Sequence, residues 1–136
     1  MATTLTDARG RAKAYRPMAP EDRAAALDAF VAAYAAGEFF EAHELLEPAW
    51  MGSADPAERE LFQGLIKLAA AFVHSQRGNP AGIAKNLRGA RERLAGAPDG
   101  EPRFDVPALI ASADDRLARL AGGETDIEPI ALTRTG

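Results

Sequence analysis

The chain is 136 residues long, 47% apolar by residue count and 26% charged, which suits one globular domain with a modest core. Its formal net charge of −4 gives no general attraction to nucleic acid, and the absence of cysteine removes disulfides, zinc–thiolate sites and thiol nucleophiles. No apolar run approaches the roughly 20 residues of a membrane span, and the N-terminus lacks the apolar stretch of a signal peptide, so the expectation is a cytoplasmic protein away from membranes.

Residues 1–18 carry Arg9, Arg11, Lys13 and Arg16 with almost no apolar pattern, which reads as a flexible basic arm. Pro20 suits the first position of a helix, and Glu21 and Asp22 favour its positive end. Leu27, Phe30, Val31 and Tyr34 recur at helical spacing until Gly37 caps the helix. A second helix follows from about Glu38 to Trp50 and breaks at Gly52-Ser53-Ala54-Asp55-Pro56, where Asp55 is an N-cap and Pro56 opens the third. That third helix, predicted over 56–77, is apolar nearly all round (Leu61, Phe62, Leu65, Ile66, Leu68, Ala69, Phe72, Val73), the mark of a central element.

Gly78 closes it, Asn79 caps a fourth helix with Pro80 in its first position, and Ile83, Leu87, Ala90 and Leu94 face inward. Lys85, Arg88, Arg91 and Arg93 form a solvated basic side of that helix. Residues 96–102 are a loop by composition, and a fifth helix starts at Asp105 and Pro107, buries Leu109, Ile110, Ala113, Leu117 and Leu120, and ends at Gly122-Gly123. The predicted architecture is a compact all-α bundle of about five helices, largely antiparallel neighbours, over 19–123, followed by an extended C-terminal tail at 124–136. The turn Gly37-Glu38-Phe39 with Ala42 is similar to that of a tetratricopeptide hairpin. The distance from Gly37 to Gly78 does not fit that repeat, so a repeat scaffold is only the runner-up.

The second helix contains the densest group of ionisable residues. At about 100° per residue, Leu45, Ala49, Ala42, Leu46, Phe39 and Trp50 form one apolar arc, with His43 and Glu47 between that arc and Phe40. Glu44 falls at the margin. On the third helix Gln63 and His74 share nearly one angular position, beside Lys67. Antiparallel packing of the two helices would bring His43 toward His74 and Trp50 toward Gln63 or Ile66.

Three readings fit this cluster. It can be a buried hydrogen-bond network that fixes helix register, in a structural scaffold, protein-interaction module or homo-oligomer. It can be a metal or small-ligand site, with His43, Glu47 and His74 as ligands to zinc, iron or manganese. Or His43-Glu44-Leu45-Leu46-Glu47, an HExxE sequence, can stand for the zinc-hydrolase helix HExxH, although Glu47 replaces the second histidine and no substrate-binding strand is evident.

The run Gly37-Glu38-Phe39-Phe40-Glu41-Ala42-His43-Glu44-Leu45-Leu46-Glu47-Pro48-Ala49-Trp50 resembles the defining segment of the "domain of unknown function 309" family. Gln63-Gly64-Leu65-Ile66, Ala69-Ala70, His74 and Arg77-Gly78-Asn79 resemble its second segment in order and spacing. The resemblance spans about residues 20–95 and implies a small all-α prokaryotic domain with no established activity. Its characteristic positions would be His43, Glu44, Glu47, Trp50, Gln63, His74 and Asn79. With Arg77 at the rim, these residues are the candidates for a non-catalytic module that binds a metal or a small ligand in a polar inter-helix pocket.

Overall fold

Proline placement and side-chain caps set where the helices begin. In the computed structural model, which describes residues 4–6, 12–14 and 17–132, five helices follow one another: α1 (Pro20–Ala35), α2 (Phe39–Met51), α3 (Pro56–Gln76), α4 (Pro80–Leu94) and α5 (Val106–Ala121). Proline occupies the first turn of α1, α3, α4 and α5, where its missing N–H costs nothing. The carboxylate of Asp55 accepts from Ala57 N, the amide oxygen of Asn79 from Gly82 N, and the carboxylate of Asp105 from Ala108 N, each at 3.1 Å. Orphan N–H groups at three helix starts are thereby satisfied.

Helix ends are set by left-handed glycines. Gly37 (φ 79°) and Gly78 (φ 64°) follow α1 and α3. Beyond them Glu38 N bonds to Ala33 O and Asn79 N to His74 O, both at 2.9 Å, closing Schellman turns. Each turn reverses the chain, and successive helices pack against one another, α1 on α2, α2 on α3, α3 on α4 and α4 on α5. The expected bundle and its central third helix are what the structure has. Leu61, Phe62, Leu65, Ile66, Leu68, Ala69, Ala71 and Phe72 on α3 are all fully buried. Leu45, expected inside the apolar arc of α2, is exposed instead, at the edge of that arc.

The segment read as a basic arm contributes two short strands, β1 (Thr4–Thr6) and β2 (Ala12–Ala14), paired antiparallel with Leu5 opposite Lys13. Arg9, Arg11 and Arg16 lie outside the described residues. At the other end, the irregular segment after α5 returns across the bundle and buries Ile127 and Ile130. Its backbone is held by side chains: Tyr34 Oη donates to Ile130 O (2.6 Å), Ser75 Oγ to Ile127 O (3.0 Å) and Arg116 Nε to Glu128 O (2.8 Å). Hydrogen bonds from Arg119 also hold the Glu128 carboxyl down at about 2. Packing therefore continues through Leu132, which lies against the core.

Away from α2, one carboxylate joins three parts of the chain. Glu58 at the start of α3 accepts from Ser53 Oγ (2.6 Å), from Arg23 Nε of α1 (3.0 Å) and from Arg103 Nη1 of the α4–α5 loop (3.4 Å). Arg103 also grips Glu101 through Nε at 2.7 Å and lies over the Phe62 ring. Burial alone would raise the Glu101 carboxyl, but its hydrogen bonds and charge contact with Arg103 win and hold it below its ordinary 4.5.

Glu58→Ala strands three donors and is expected to lower unfolding free energy by about 1–3 kcal/mol, readable by urea denaturation. Because the folded Glu101 has the depressed value, its stabilising effect is complete above the unfolded value and is lost as pH falls through the folded one. Wild-type stability should accordingly fall more steeply below pH 4.5 than that of Glu101→Gln, as thermal melts from pH 6 to 3 would show.

Candidate functional site

The site is built where α3 and α4 approach too closely for a full set of side chains. Three contacts define their antiparallel register: Gly64 faces Leu94, Gly89 faces Lys67 and Gly82 faces His74. A methyl group at Gly82 would lie 2.4 Å from His74 Nδ1, and one at Gly89 would lie 2.9 Å from Lys67 Cδ. Lys67 and His74 are seven residues apart on α3, as Gly82 and Gly89 are on α4, so two turns of one helix match two turns of the other. The missing Cβ atoms let Lys67 and His74 lie across the seam.

Over this seam runs an open groove of about 910 Å³ bordered by Lys67, His74, Asn79, Lys85, Asn86, Arg88 and Glu92, with Gly82 and Gly89 at its base. His74 and Asn86 also belong to a smaller chamber of about 180 Å³, completed by Phe40, His43, Ala70, Val73 and Arg77. The two spaces therefore share a wall, and the expected approach of His43 to His74 is met in that chamber.

Hydrogen bonding fixes what each imidazole can offer. His43 Nδ1 lies 2.5 Å from the carbonyl oxygen of Phe40, which only accepts, so Nδ1–H donates to it. The edge of the Phe40 ring packs against His43 with centroids 5.0 Å apart. On α3, Asn79 uses its amide oxygen to cap α4, so its NH₂ group is the one facing His74 Nδ1 at 3.2 Å. That nitrogen must accept, and the neutral ring carries its proton on Nε2. For a ligand, His43 retains an ε-nitrogen lone pair and His74 an ε N–H.

The cations of the site are distinctive. Arg23, Arg91, Arg93, Arg103, Arg116 and Arg119 are all in ion pairs with carboxylates. Among the described side chains, Arg59, Lys67, Arg77, Lys85 and Arg88 form no ion pair; Arg59 donates to Ser53 O, and the other four border the groove or the chamber. Burial, then the neighbouring Arg93 and Lys85, push the Lys67 ammonium below its ordinary 10.5, against an upward pull from Glu92. The groove thus holds uncompensated positive charge.

The structure divides the residues singled out in the sequence. His43, His74 and Arg77 share the chamber, and Asn79 joins His74 in the groove. Glu44 is exposed and borders neither space, which leaves the HExxE hydrolase arrangement without its base at the site. Trp50 is 6% exposed and belongs to the apolar core. Gln63 is also in the core, with no hydrogen-bond partner for Oε1 among the described residues. It shares an angle with His74 but stands about 16 Å away along the helix, and angular alignment does not remove axial separation.

The ligand set His43, Glu47 and His74 is not assembled either. Among the described residues no three His, Asp or Glu side chains are placed to hold one metal ion. From His43 to Glu47 the antiparallel α2 advances about 6 Å toward the start of α3, while His74 lies near its end. Lys67, Lys85, Asn86, Arg88 and Phe40 were not among the site candidates read from the sequence. The signal that could have found them is the pair of glycines seven apart in α4, matching Lys67 and His74.

Comparisons with known proteins agree with the segments the sequence resembles. Residues 27–86 match the model of the "Domain of unknown function (DUF309)", and this part of the chain is a DUF309 domain. An uncharacterized protein of Aquifex aeolicus (strain VF5) is 33% identical over 85 residues, 62% of this chain and 26% of that protein. The uncharacterized protein YpuF of Bacillus subtilis (strain 168) is 38% identical over 61 residues, 45% of this chain and 34% of that protein. The chain thus matches about a quarter to a third of the length of these curated relatives. No solved structure matches it. Among the described residues, no helix is long and apolar enough to cross a membrane.

Steric contact at the two α4 glycines gives contrasting expectations. Gly82→Ala forces the His74 ring and the Asn79 cap apart and should destabilise by about 1–3 kcal/mol. Gly89→Ala meets only the flexible stem of Lys67 and gains up to about 1 kcal/mol of helix propensity, so its melting temperature should stay close to wild type or rise. Calorimetric melts of the two variants, with the His74 imidazole followed by NMR, check both.

Proposed function

We propose that this DUF309 domain is a non-catalytic small-molecule-binding module whose ligand is an anion held in the groove between α3 and α4. One observation carries the reading. In a chain of net charge −4, where the other arginines of α4 find carboxylates, Lys67, Lys85 and Arg88 stand unpaired around one open space. A negative ligand would supply a counter-charge and favour the charged form of Lys67, which burial first and neighbouring cations second disfavour.

Neutral groups complete the recognition. The Asn86 amide keeps one N–H beyond the one it donates to Gly82 O (2.9 Å), and the volume is within the usual range for small-molecule sites. Glu92, which also borders the groove, restricts how much negative charge it tolerates. Lys67 supplies a point charge anchored across Gly89, whereas Lys85 and Arg88 are exposed and free to close over a ligand.

Calorimetric titration at low ionic strength with inorganic phosphate, sulfate and acetate, beside choline as a cationic control, tests the reading. At least one anion should bind, and added salt should weaken it. Each charge-assisted hydrogen bond contributes about 1.5–3 kcal/mol, so Lys67→Ala with Lys85→Ala should weaken binding at least about tenfold. No anion binding, or a double variant that binds as well as wild type, would sink the proposal.

A further inference from the structure

The groove accounts for the cations but not for the chamber beside it. That chamber, about 180 Å³, has a different lining: Phe40, Ala70 and Val73 give it apolar walls, and His43 and His74 add two ring faces or edges. A cavity of about 150 Å³ lined by apolar side chains is enough to take one benzene ring. Phe40 is 49% exposed, an unusual position for a large aromatic beside a core, and its described ring partner is His43. His74 and Asn86 border both spaces, so the groove and the chamber open side by side.

We infer that the ligand is an anion carrying a single planar ring, with the ring in the Phe40 chamber and the charged group among Lys67, Lys85 and Arg88. This rests on the anion-binding reading above and adds the ligand's second half. Phe40 flanks the ring on the open side, and burying its exposed face against a second ring removes apolar surface of both from water. Val73 and Ala70 form the inner wall, with Ala70 leaving the room that a larger side chain would fill. The His43 ε-nitrogen accepts and the His74 ε N–H donates, so a ring bearing one donor and one acceptor is favoured over a plain hydrocarbon ring. Arg77, exposed and bordering the chamber, disfavours cationic ligands there.

The test compares inorganic phosphate, methyl phosphate and phenyl phosphate by calorimetric titration of the wild-type chain, Phe40→Ala and Phe40→Trp. Phenyl phosphate should bind wild type about tenfold more tightly than methyl phosphate, as a further aromatic contact can supply. Phe40→Ala should erase that preference while leaving inorganic phosphate within twofold of wild type, and Phe40→Trp should restore it. Equal affinity for phenyl and methyl phosphate, or a preference that survives in Phe40→Ala, overturns this inference and leaves anion binding standing. Failure of all three phosphates, with sulfate and acetate also silent, overturns both.

Discussion

The close approach of α3 and α4 is the constraint on which the remaining features depend. Three glycines make it possible, one on α3 and two on α4, and each faces a side chain of the opposite helix. Glycine inside a helix costs about 1 kcal/mol relative to alanine, so α4 is a weak helix by itself. Its stability comes from the seam: Ile83, Leu87, Ala90 and Leu94 are buried along it. Because the register is set by steric pairs, neither helix can slide without driving His74 or Lys67 into a backbone. At the groove, His74 is held between the Gly82 backbone and the Asn79 amide, whereas the flexible Lys67 stem can give way.

Polar groups are distributed unequally around this framework. At the far end of α3, Glu58 gathers Ser53, Arg23 and Arg103 into a satisfied cluster that ties α1, the α2–α3 turn and the α4–α5 loop together. Near the tail, Arg116 and Arg119 strap Glu124, Glu128 and Pro129 to α5. Both networks match positive to negative charge. The groove does not: Glu92 is its one bordering carboxylate, against Lys67, Lys85 and Arg88. A surplus of one charge costs stability through repulsion and burial, and it raises the local concentration of counter-ions.

The segment from His43 to Trp50 divides its residues among three environments within two turns. Leu46, Ala49 and Trp50 are core, His43 turns toward the chamber, and Glu44 faces solvent. In this chain the segment is therefore partly an instruction for packing α2 on α3. Its ionisable residues do not act as one group. The matched span ends at residue 86, so Arg88 and Gly89, which complete the groove, belong to the part of α4 beyond it.

Local chemistry was enough to determine the five helices, their caps and the central place of α3. Proline, Asn79, Asp55 and the left-handed glycines act within a few residues of where they stand, and the apolar periodicity of α3 is a property of that segment alone. The meeting of His43 with His74 was legible too, since a short turn between helices implies antiparallel packing. Tertiary structure alone decided which polar residues share a space. Angle around a helix is written in the sequence, but axial register between two helices is not, because it depends on which side chains and gaps meet across the seam. That register moved Gln63 into the core and left Glu47 outside the cavities, and it turned Lys67, Lys85, Asn86 and Arg88 from an ordinary helix surface into the wall of a groove.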